Sequence, residues 1–322
     1  MSARPVALSC GEPAGIGPEL AAKAWETLGA DCSFVWIGDP RHLPAGTPIA
    51  EIAEPAEALV ACRRALPVLR LEFAAPNVPG QADPANARGT IAAIEKAVEL
   101  VQAGQASAVC TAPIHKKALI DGAGFAYPGH TEFLAALAGV ERVVMMLASD
   151  RLRVVPTTIH MALSEVPKRL TPGLLRETIE ITARDLRDRF GIAHPRLAVA
   201  GLNPHAGEGG AMGREEIDWI APLLAQMAPQ EFSLSGPHPA DTMFHAAARA
   251  KYDVAICMYH DQALIPIKTL DFDQGVNVTL GLPFVRTSPD HGTAFDIAGQ
   301  GIANPASLIA ALRLAQKMGA RA

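Results

Sequence analysis

Residues 258–305 read MYHDQALIPIKTLDFDQGVNVTLGLPFVRTSPDHGTAFDIAGQGIANP, a stretch that crowds ionisable residues and glycines together. It has almost no amphipathic periodicity, so packing against a core does not explain its composition. The preceding run YDVAICM (residues 252–258) is short, apolar and contains β-branched residues, which predicts a buried strand. His260 and Asp261 therefore leave the carboxyl end of a strand. Ligands bind at this end in open α/β sheets, because loops form a crevice there and helix N-termini offer free N–H groups.

Two further histidines follow strand-like runs. His160 comes after LRVVPTTI (residues 152–159), and His205 comes after RLAVAGLNP (residues 196–204). Neutral imidazoles on separate rigid strands, with one coordination position left open, suit a catalytic divalent metal such as zinc. The alternative is that each histidine caps or fills its own loop, because nothing in the spacing is diagnostic of a metal site. The residues alone leave both interpretations open.

Length and composition bound the class of protein. A chain of 322 residues predicts two domains, or one large α/β domain with two lobes, and 49% hydrophobic against 19% charged residues is typical of a soluble globular protein. The net charge is −5 and the basic residues are dispersed, which excludes an electrostatic surface for nucleic acid or an anionic membrane. The five cysteines form no CxxC pair, and we see neither a signal peptide nor a membrane span. We therefore expect reduced, buried thiols and a cytoplasmic protein.

Local patterns predict individual elements. Helices are expected over residues 18–28, 89–103 and 172–190, the last with Thr171 as N-cap, and residues 143–148 and 152–159 are expected to form a hairpin. The glycine-rich turn GEPAGIGPEL (residues 11–20) matches neither the dinucleotide nor the Walker pattern, so a tight strand-to-helix turn is the favoured interpretation.

Several polar residues sit at predicted helix starts. Thr131 is placed as an N-cap just after His130, where exposed N–H groups favour anions. Lys116 and Lys117 are interpreted as a solvated pair, with contact to an anion as the alternative. Glu215 and Glu216 are interpreted as acids that stabilise a helix dipole. Asp241 is either an N-cap or an acid near the metal.

Five motifs together resemble the 4-hydroxythreonine-4-phosphate dehydrogenase family of pyridoxal 5′-phosphate biosynthesis. They are GEPAGIGPE, GHTEF, GLNPHAGEGG, MYHDQ and GVNVTLGLPFVRTSPDHGTAFDIAG, and they run from residue 11 to about residue 305. The resemblance implies a two-lobed α/β/α fold like that of isocitrate and isopropylmalate dehydrogenases, with the active site in the cleft between the lobes. It also implies a homodimer whose active site is shared across the interface. The implied lobes are residues 1–135 with 288–322, which carry both termini and the cofactor loop, and residues 136–287, which carry the metal ligands and the dimer interface.

The resemblance also implies roles for individual residues. HGTAFDIAGQGIANP (residues 291–305) is similar to the adenosine-binding loop of isopropylmalate dehydrogenases, so a hydride-transfer enzyme need not carry the Rossmann glycine pattern. The implied cofactor-binding residues in it are His291, Gly292, Thr293, Asp296 and Asn304. The positions that match the family's metal ligands are His160, His205 and His260. The positions that match substrate-binding residues are His130, Thr131, Lys268, Asn277 and Arg286, among which lysine and arginine supply charge for a phosphate and a carboxylate.

The implied reaction is the NAD- or NADP-dependent oxidation of 4-phosphooxy-L-threonine at C3. The product, 2-amino-3-oxo-4-(phosphooxy)butanoate, loses carbon dioxide to give 3-amino-2-oxopropyl phosphate. One divalent ion per site (zinc, magnesium or cobalt), held by the three histidines, lowers the pKa of the C3 hydroxyl and polarises the carbonyl. The candidate catalytic residues are then these histidines and Asp241, and proton transfer is assigned to Asp241 or Lys268 without a choice between them.

Three alternatives remain beside this interpretation. A sister dehydrogenase acting on another four-carbon acid phosphate would share the scaffold and the metal site. A phosphate-group transferase on a related fold would need no nicotinamide, but the adenosine-like loop and the three histidines argue against it. A non-catalytic metal-binding module would leave the phosphate-binding cluster unexplained.

Overall fold

The computed structural model describes residues 4–227 and 231–321. The chain divides into two compact units, which are Met1–Val143 with Leu282–Ala322 and Val144–Gly281. Over the described residues, no helix has the length and apolar character needed to cross a membrane. All five cysteines are buried and free of disulfides, as the sequence predicts.

Strands and helices alternate along most of the chain. The strands are β1 Val6–Ser9, β2 Phe34–Gly38, β3 Ile49–Glu51, β4 Leu66–Arg70, β5 Ala108–Thr111, β6 Val144–Ala148, β7 Arg153–Pro156, β8 Arg196–Ala200, β9 Ser233–His238, β10 Val254–Cys257, β11 Val276–Leu280 and β12 Arg286–Pro289. The α-helices are α1 Gly17–Leu28, α2 Ala58–Ala61, α3 Ala87–Gln102, α4 Lys116–Ala123, α5 His130–Ala138, α6 Val166–Arg169, α7 Pro172–Asp188, α8 Ala221–Gln226, α9 Ala246–Arg249, α10 His260–Leu270 and α11 Ala306–Gly319.

The first unit is built on a parallel sheet with strand order β3-β4-β2-β1-β5-β12. Its central strand β1 pairs Val6 with Phe34 on one side and with Ala108 on the other. All four residues of β1 are buried, as expected for a parallel strand covered on both faces. The carboxyl ends of β1, β5 and β12 therefore lie side by side at one edge of this sheet.

The second unit has a mixed sheet with strand order β11-β6-β7-β10-β8-β9. Strands β6 and β7 form the predicted antiparallel hairpin, with Leu147 opposite Val154. Strands β7, β10 and β8 run parallel, and Ala255 pairs with both Val154 and Ala198. These buried residues belong to one apolar cluster that also packs against α10. This confirms the predicted strands ahead of all three histidines.

The three predicted helices are confirmed, but the N-cap predicted for α5 is not. Helices α1, α3 and α7 lie where the sequence places them, and Leu174 N–H donates to the Thr171 hydroxyl at 3.2 Å, so Thr171 caps α7. The exception is Thr131, which is not an N-cap. The Phe133 amide already bonds the carbonyl of Gly129 at 3.2 Å, so α5 begins at His130 and Gly129 is the cap residue.

Gly122, in the last turn of α4, has no room for a side chain. A Cβ there would overlap the Pro84 carbonyl and lie 2.8 Å from the Ala87 Cβ. Gly122→Ala should therefore lower the free energy of unfolding by about 1–3 kcal/mol, because a packed backbone group must move. A Cβ added to Gly173 in α7 would meet no atom within 4 Å, so Gly173→Ala should be neutral or raise stability by about 0.5 kcal/mol. Urea unfolding of both variants measures the contrast, and an equally stable Gly122→Ala protein would contradict this packing.

Candidate active site

The three loops that carry the predicted metal ligands leave one edge of the second unit's sheet. His160 follows β7, His260 opens α10 directly after β10, and His205 follows β8. Because these strands are parallel neighbours, their carboxyl ends lie together. The strand-end argument made from the sequence therefore holds for the backbone.

His160 and His260 approach each other. Their ring centroids lie 5.8 Å apart, and both line a cavity of about 420 Å³ with Thr158, Met161 and Tyr259 among its walls. The Nδ1 atom of His260 is 2.7 Å from the Asp261 carboxylate. A carboxylate only accepts hydrogen bonds, so Nδ1 donates here and Nε2 is the ring nitrogen left to face a metal. This is the arrangement by which carboxylates orient metal-binding histidines.

The histidine pair fits a divalent metal. Two imidazoles on one zinc ion have centroids about 5–6 Å apart, because each Zn–N bond is about 2.0–2.1 Å long. The observed 5.8 Å agrees with that spacing. Within the described part of a single chain, however, no three His, Cys, Asp or Glu side chains lie close enough to hold a metal ion. One chain thus brings together two of the three predicted ligands, and the three-histidine site stays a prediction.

The loop that carries His205 has an unusual backbone. His205, Ala206 and Glu208 have φ values of 52°, 51° and 41°, which is the left-handed region. Each such residue costs roughly 1–2 kcal/mol, so the loop needs strong external support. A Cβ on Gly207 would lie 2.7 Å from the Glu216 carboxylate, which shows how closely that side chain approaches the loop.

Glu216 provides this support. Its side chain is buried, and its carboxylate accepts hydrogen bonds from the Asn203 backbone N–H at 2.8 Å and from Asn203 Nδ2 at 3.0 Å. The sequence analysis placed Glu216 with Glu215 as acids at a helix start and missed this contact. The sequence signal for this contact was Asn203, a side-chain amide directly ahead of a glycine-rich loop. Such a loop needs a hydrogen-bonding partner from elsewhere in the chain to fix its conformation.

Gln262 connects two of the histidine loops. Its Oε1 accepts from the Met258 N–H at 2.7 Å, and its Nε2 donates to the Gly201 carbonyl at 2.7 Å. The side chain is buried, so both bonds are shielded from water. Gln262 therefore fixes the end of β10, just before His260, against the end of β8.

Glu216→Ala should remove the support of the His205 loop. We expect a loss of about 2–4 kcal/mol in the free energy of unfolding, because two buried hydrogen bonds disappear and the Asn203 backbone N–H loses its partner, whereas Asn203 Nδ2 keeps its bond to Glu215. The control is Asp218→Ala on the same segment, where the exposed carboxylate pairs with Arg214 and little change is expected. Chemical denaturation measures both, and equal effects of the two substitutions would contradict the role of Glu216.

The other predicted residues of this unit occupy varied positions. Lys268 is half-buried on α10 with its ammonium 5.6 Å from the centre of the Phe272 ring, and Asn277 is half-buried in β11. Asp241 is exposed on a short turn, Ala240–Thr242. The cap residue of α9 is His245, so the N-cap interpretation of Asp241 is wrong. Its role as an acid stays a prediction.

A group of cationic and hydrogen-bonding residues lies in the first unit. Arg286 is buried at the start of β12 and donates to the Thr111 hydroxyl at 2.6 Å, and burial lowers its pKa to about 10. His130 opens α5, and its pKa is held well below the usual value by burial and then by the charges of Arg286 and Lys116. Its Nε2 is buried without a hydrogen-bond partner among the described residues. Thr131 follows in the first turn, where backbone N–H groups are free for an anion.

The predicted cofactor loop, residues 291–305, is fastened to the turn GEPAGIGPE. The Ile16 N–H donates to the Thr293 carbonyl at 3.0 Å, and a Cβ on Gly15 would lie 2.9 Å from the same oxygen. The turn is thus a tight strand-to-helix connection, as the sequence favours. It also packs against this loop and is hydrogen-bonded to it.

Glu19 and Lys23 of α1 hold the far end of the loop. The Glu19 carboxylate accepts from the N–H groups of Gly301 and Ala303 at 3.3 and 3.0 Å. The Lys23 ammonium donates to the carbonyls of the same two residues at 2.8 and 2.7 Å. Sequence reasoning missed both, because their partners lie almost the whole chain away.

Ring nitrogens in and beside this loop have no hydrogen-bond partner among the described residues. His291 bonds the Gly292 carbonyl through Nδ1 at 3.0 Å, while its Nε2 is buried and unpartnered among the described residues. The same holds for Nδ1 of His115, whose ring meets Phe295 edge-on at 5.0 Å. Such buried orphans fit a polar cofactor that completes their hydrogen bonds. The remaining predicted positions differ: Asn304 bonds the Ala306 N–H at 3.0 Å at the start of α11, and Asp296 is exposed.

The sequence matches the family model described as pyridoxal phosphate biosynthetic protein PdxA over residues 30–315. The chain belongs to the PdxA family. A curated PdxA relative from Ruegeria sp. (strain TM1040), named 4-hydroxythreonine-4-phosphate dehydrogenase, is 70% identical over 313 residues, which are 97% of this chain and 96% of that protein. The resemblance seen in the five motifs is thereby confirmed.

Solved structures agree with this assignment. The 4-hydroxythreonine-4-phosphate dehydrogenase of Klebsiella pneumoniae is 37% identical with a TM-score of 0.89, covering 98% of this chain and all of its own. A terephthalate 1,2-cis-dihydrodiol dehydrogenase from Burkholderia xenovorans LB400 is 31% identical with a TM-score of 0.70, covering 98% of both chains. The α/β fold of the PdxA family is thus confirmed, and dehydrogenases that differ in substrate share it.

Proposed function

We propose that this protein is a 4-hydroxythreonine-4-phosphate dehydrogenase, which oxidises 4-phosphooxy-L-threonine at C3 with NAD or NADP and releases 3-amino-2-oxopropyl phosphate after decarboxylation. The observation that carries the proposal is the 70% identity with the Ruegeria enzyme of that name across 97% of the chain. The PdxA family as a whole places the chain among proteins of pyridoxal phosphate biosynthesis. Buried groups able to bind a phosphate and a pair of histidines able to bind a metal support the same reaction.

Substrate binding is assigned to five residues, which are His130, Thr131, Lys268, Asn277 and Arg286. Arg286 is always protonated at neutral pH even with its lowered pKa, so it supplies a permanent positive charge. The first N–H groups of α5 add the positive end of a helix dipole. Together these groups select an anionic substrate. Asp241 and Lys268 remain the two candidates for proton transfer.

His160, His205 and His260 are proposed to hold a divalent metal (zinc, magnesium or cobalt), with Asp261 orienting His260. When bound, the metal supplies Lewis-acid polarisation of the oxygen at C3. The residues proposed to hold the nicotinamide cofactor, which accepts the hydride, are His291, Gly292, Thr293, Asp296 and Asn304. The hydrogen bonds from Glu19 and Lys23 to Gly301 and Ala303 keep this loop in one conformation before the cofactor binds.

A second copy of the chain is proposed to complete the metal site. One chain brings His160 and His260 together, and no third candidate ligand joins them among its described residues. A homodimer in which the partner contributes His205 would supply the missing imidazole. Dimers with twofold symmetry are the commonest oligomers and form two such shared sites.

The first experiment measures reduced nicotinamide formation by the purified protein with 4-phosphooxy-L-threonine, with and without a chelator. We expect turnover with NAD or NADP that the chelator abolishes and added divalent metal restores, because the metal polarises the reacting oxygen. Turnover that survives complete metal removal would contradict the metal site. Turnover only with other four-carbon acid phosphates would favour a sister dehydrogenase.

Mixing two inactive variants tests the shared metal site. His205→Ala and His260→Ala alone should each reduce kcat at least about 100-fold and lower the bound metal per chain, because each removes a ligand. Random dimers formed from both variants should recover about a quarter of wild-type activity, since half are mixed and each mixed dimer has one intact site.

The matched control is His194→Ala, in which an exposed histidine bonded to Ser233 is lost and activity should stay unchanged. If the mixture regains neither activity nor bound metal, each site draws its ligands from one chain. That result would contradict the shared arrangement without touching the proposed reaction.

A further inference from the structure

Two adjacent lysines at the start of α4 have different surroundings. Lys117 pairs with Asp121 at 2.7 Å, one helical turn later, and its side chain is 76% exposed. The Lys116 ammonium has no hydrogen-bond or ion-pair partner within the described residues. The sequence predicts one solvated pair, whereas the structure gives the two ammonium groups different surroundings.

Lys116 points to the beginning of α5. Its ammonium lies 3.8 Å, and its Cε 3.6 Å, from the position that a Cβ on Gly129 would take. Gly129 is the cap residue of α5 and has no side chain to satisfy the free N–H groups there. A cation at the positive end of a helix dipole is unfavourable by itself, so this placement favours an anion between them.

Other groups at this place point to the same ligand. Buried Arg286 and Lys116 both act electrostatically on His130, and the His130 Nε2 is shielded and unpartnered among the described residues. The Glu132 carboxylate also lies near Gly129, at 3.4 Å from the same Cβ position, but it forms no ion pair with Lys116. Among the described residues, the Lys116 ammonium therefore has no ion-pair partner.

We propose that Lys116 binds the phosphate group of the substrate, together with Arg286 and the first N–H groups of α5. The inference rests on the proposed function, since it names a further substrate-binding residue of that reaction. A flexible ammonium suits the role because it meets a phosphate oxygen as a point charge while Arg286 is fixed in the sheet. Lys117 takes no part, because Asp121 and solvent occupy its ammonium.

The first test measures the binding of inorganic phosphate to the complete protein by calorimetry, without cofactor or added metal. Wild type and Lys117→Ala should bind phosphate equally well. Lys116→Ala should bind it about 10- to 100-fold more weakly, as expected for the loss of a charge-assisted contact, and Lys116→Arg should recover most of the affinity. Lys116→Ala should fold normally, because alanine favours the helix and the lysine is exposed.

The second test separates the phosphate from the carboxylate of the substrate. The ratio of kcat/KM for 4-phosphooxy-L-threonine to that for unphosphorylated 4-hydroxy-L-threonine should fall about 10- to 100-fold in Lys116→Ala and stay unchanged in Lys117→Ala. Equal losses on both substrates would mean that Lys116 serves another part of the molecule and would overturn the proposal.

The outcomes distinguish this inference from the proposed reaction. Phosphate binding that is absent in wild type, or unaffected in Lys116→Ala, overturns the role of Lys116 even if the enzyme is active. Loss of phosphate binding in Lys116→Ala supports that role even if 4-phosphooxy-L-threonine is not oxidised. In that case only the proposed substrate is contradicted.

Discussion

The parallel register of neighbouring strands is the constraint on which both candidate sites depend. In the second unit, Ala255 pairs with Val154 and with Ala198, so β7, β10 and β8 end at the same level. In the first unit, Val6 pairs with Ala108, and Thr287 pairs with Cys110, so β1, β5 and β12 do the same. A shift of one residue would turn every side chain to the opposite face. The buried apolar residues of these strands exclude that shift, and thereby fix where the loops begin.

What the loops then do depends on backbone conformations that are unfavourable in isolation. His160 and His205 both have φ near 50°, a region that costs roughly 1–2 kcal/mol for a side chain with a Cβ. Buried hydrogen bonds offset this cost: Glu216 accepts from the Asn203 N–H ahead of His205, and the Thr158 hydroxyl ahead of His160 donates to the Met258 carbonyl at 2.7 Å. Two proposed metal ligands thus have strained backbone conformations, and hydrogen bonds from polar side chains stabilise the loops that carry them. The strain is consistent with a functional site, where backbone of this kind tends to be retained.

The sequence was sufficient for features set by local pattern. The strand ahead of each histidine, the hairpin of β6 and β7, and the cap of α7 by Thr171 all follow from apolar runs and cap residues, and the structure confirms them. The prediction of Thr131 as the N-cap of α5 is wrong, because the helix already begins at His130. The cap residue is Gly129, which has no side chain of the kind that marks an N-cap in a sequence. The contacts of Glu19 with Gly301 and Ala303, of Glu216 with Asn203, and of Lys116 with the start of α5 join separate segments of the chain. Contacts of this kind depend on the folded chain. The dimer that is proposed to complete the metal site is implied by the family resemblance alone.

At the proposed phosphate site, burial lowers the pKa of His130 and so affects the total charge of the site. A phosphate monoester carries a charge of about −1.5 to −2 at neutral pH. Lys116 and Arg286 supply two positive charges, and the lowered pKa of His130 keeps that imidazole neutral. A protonated His130 would add a third positive charge in a buried place and repel its neighbours when no ligand is bound. As a neutral ring it can still donate or accept one hydrogen bond, so it can contact a phosphate oxygen without adding a buried charge to the empty protein.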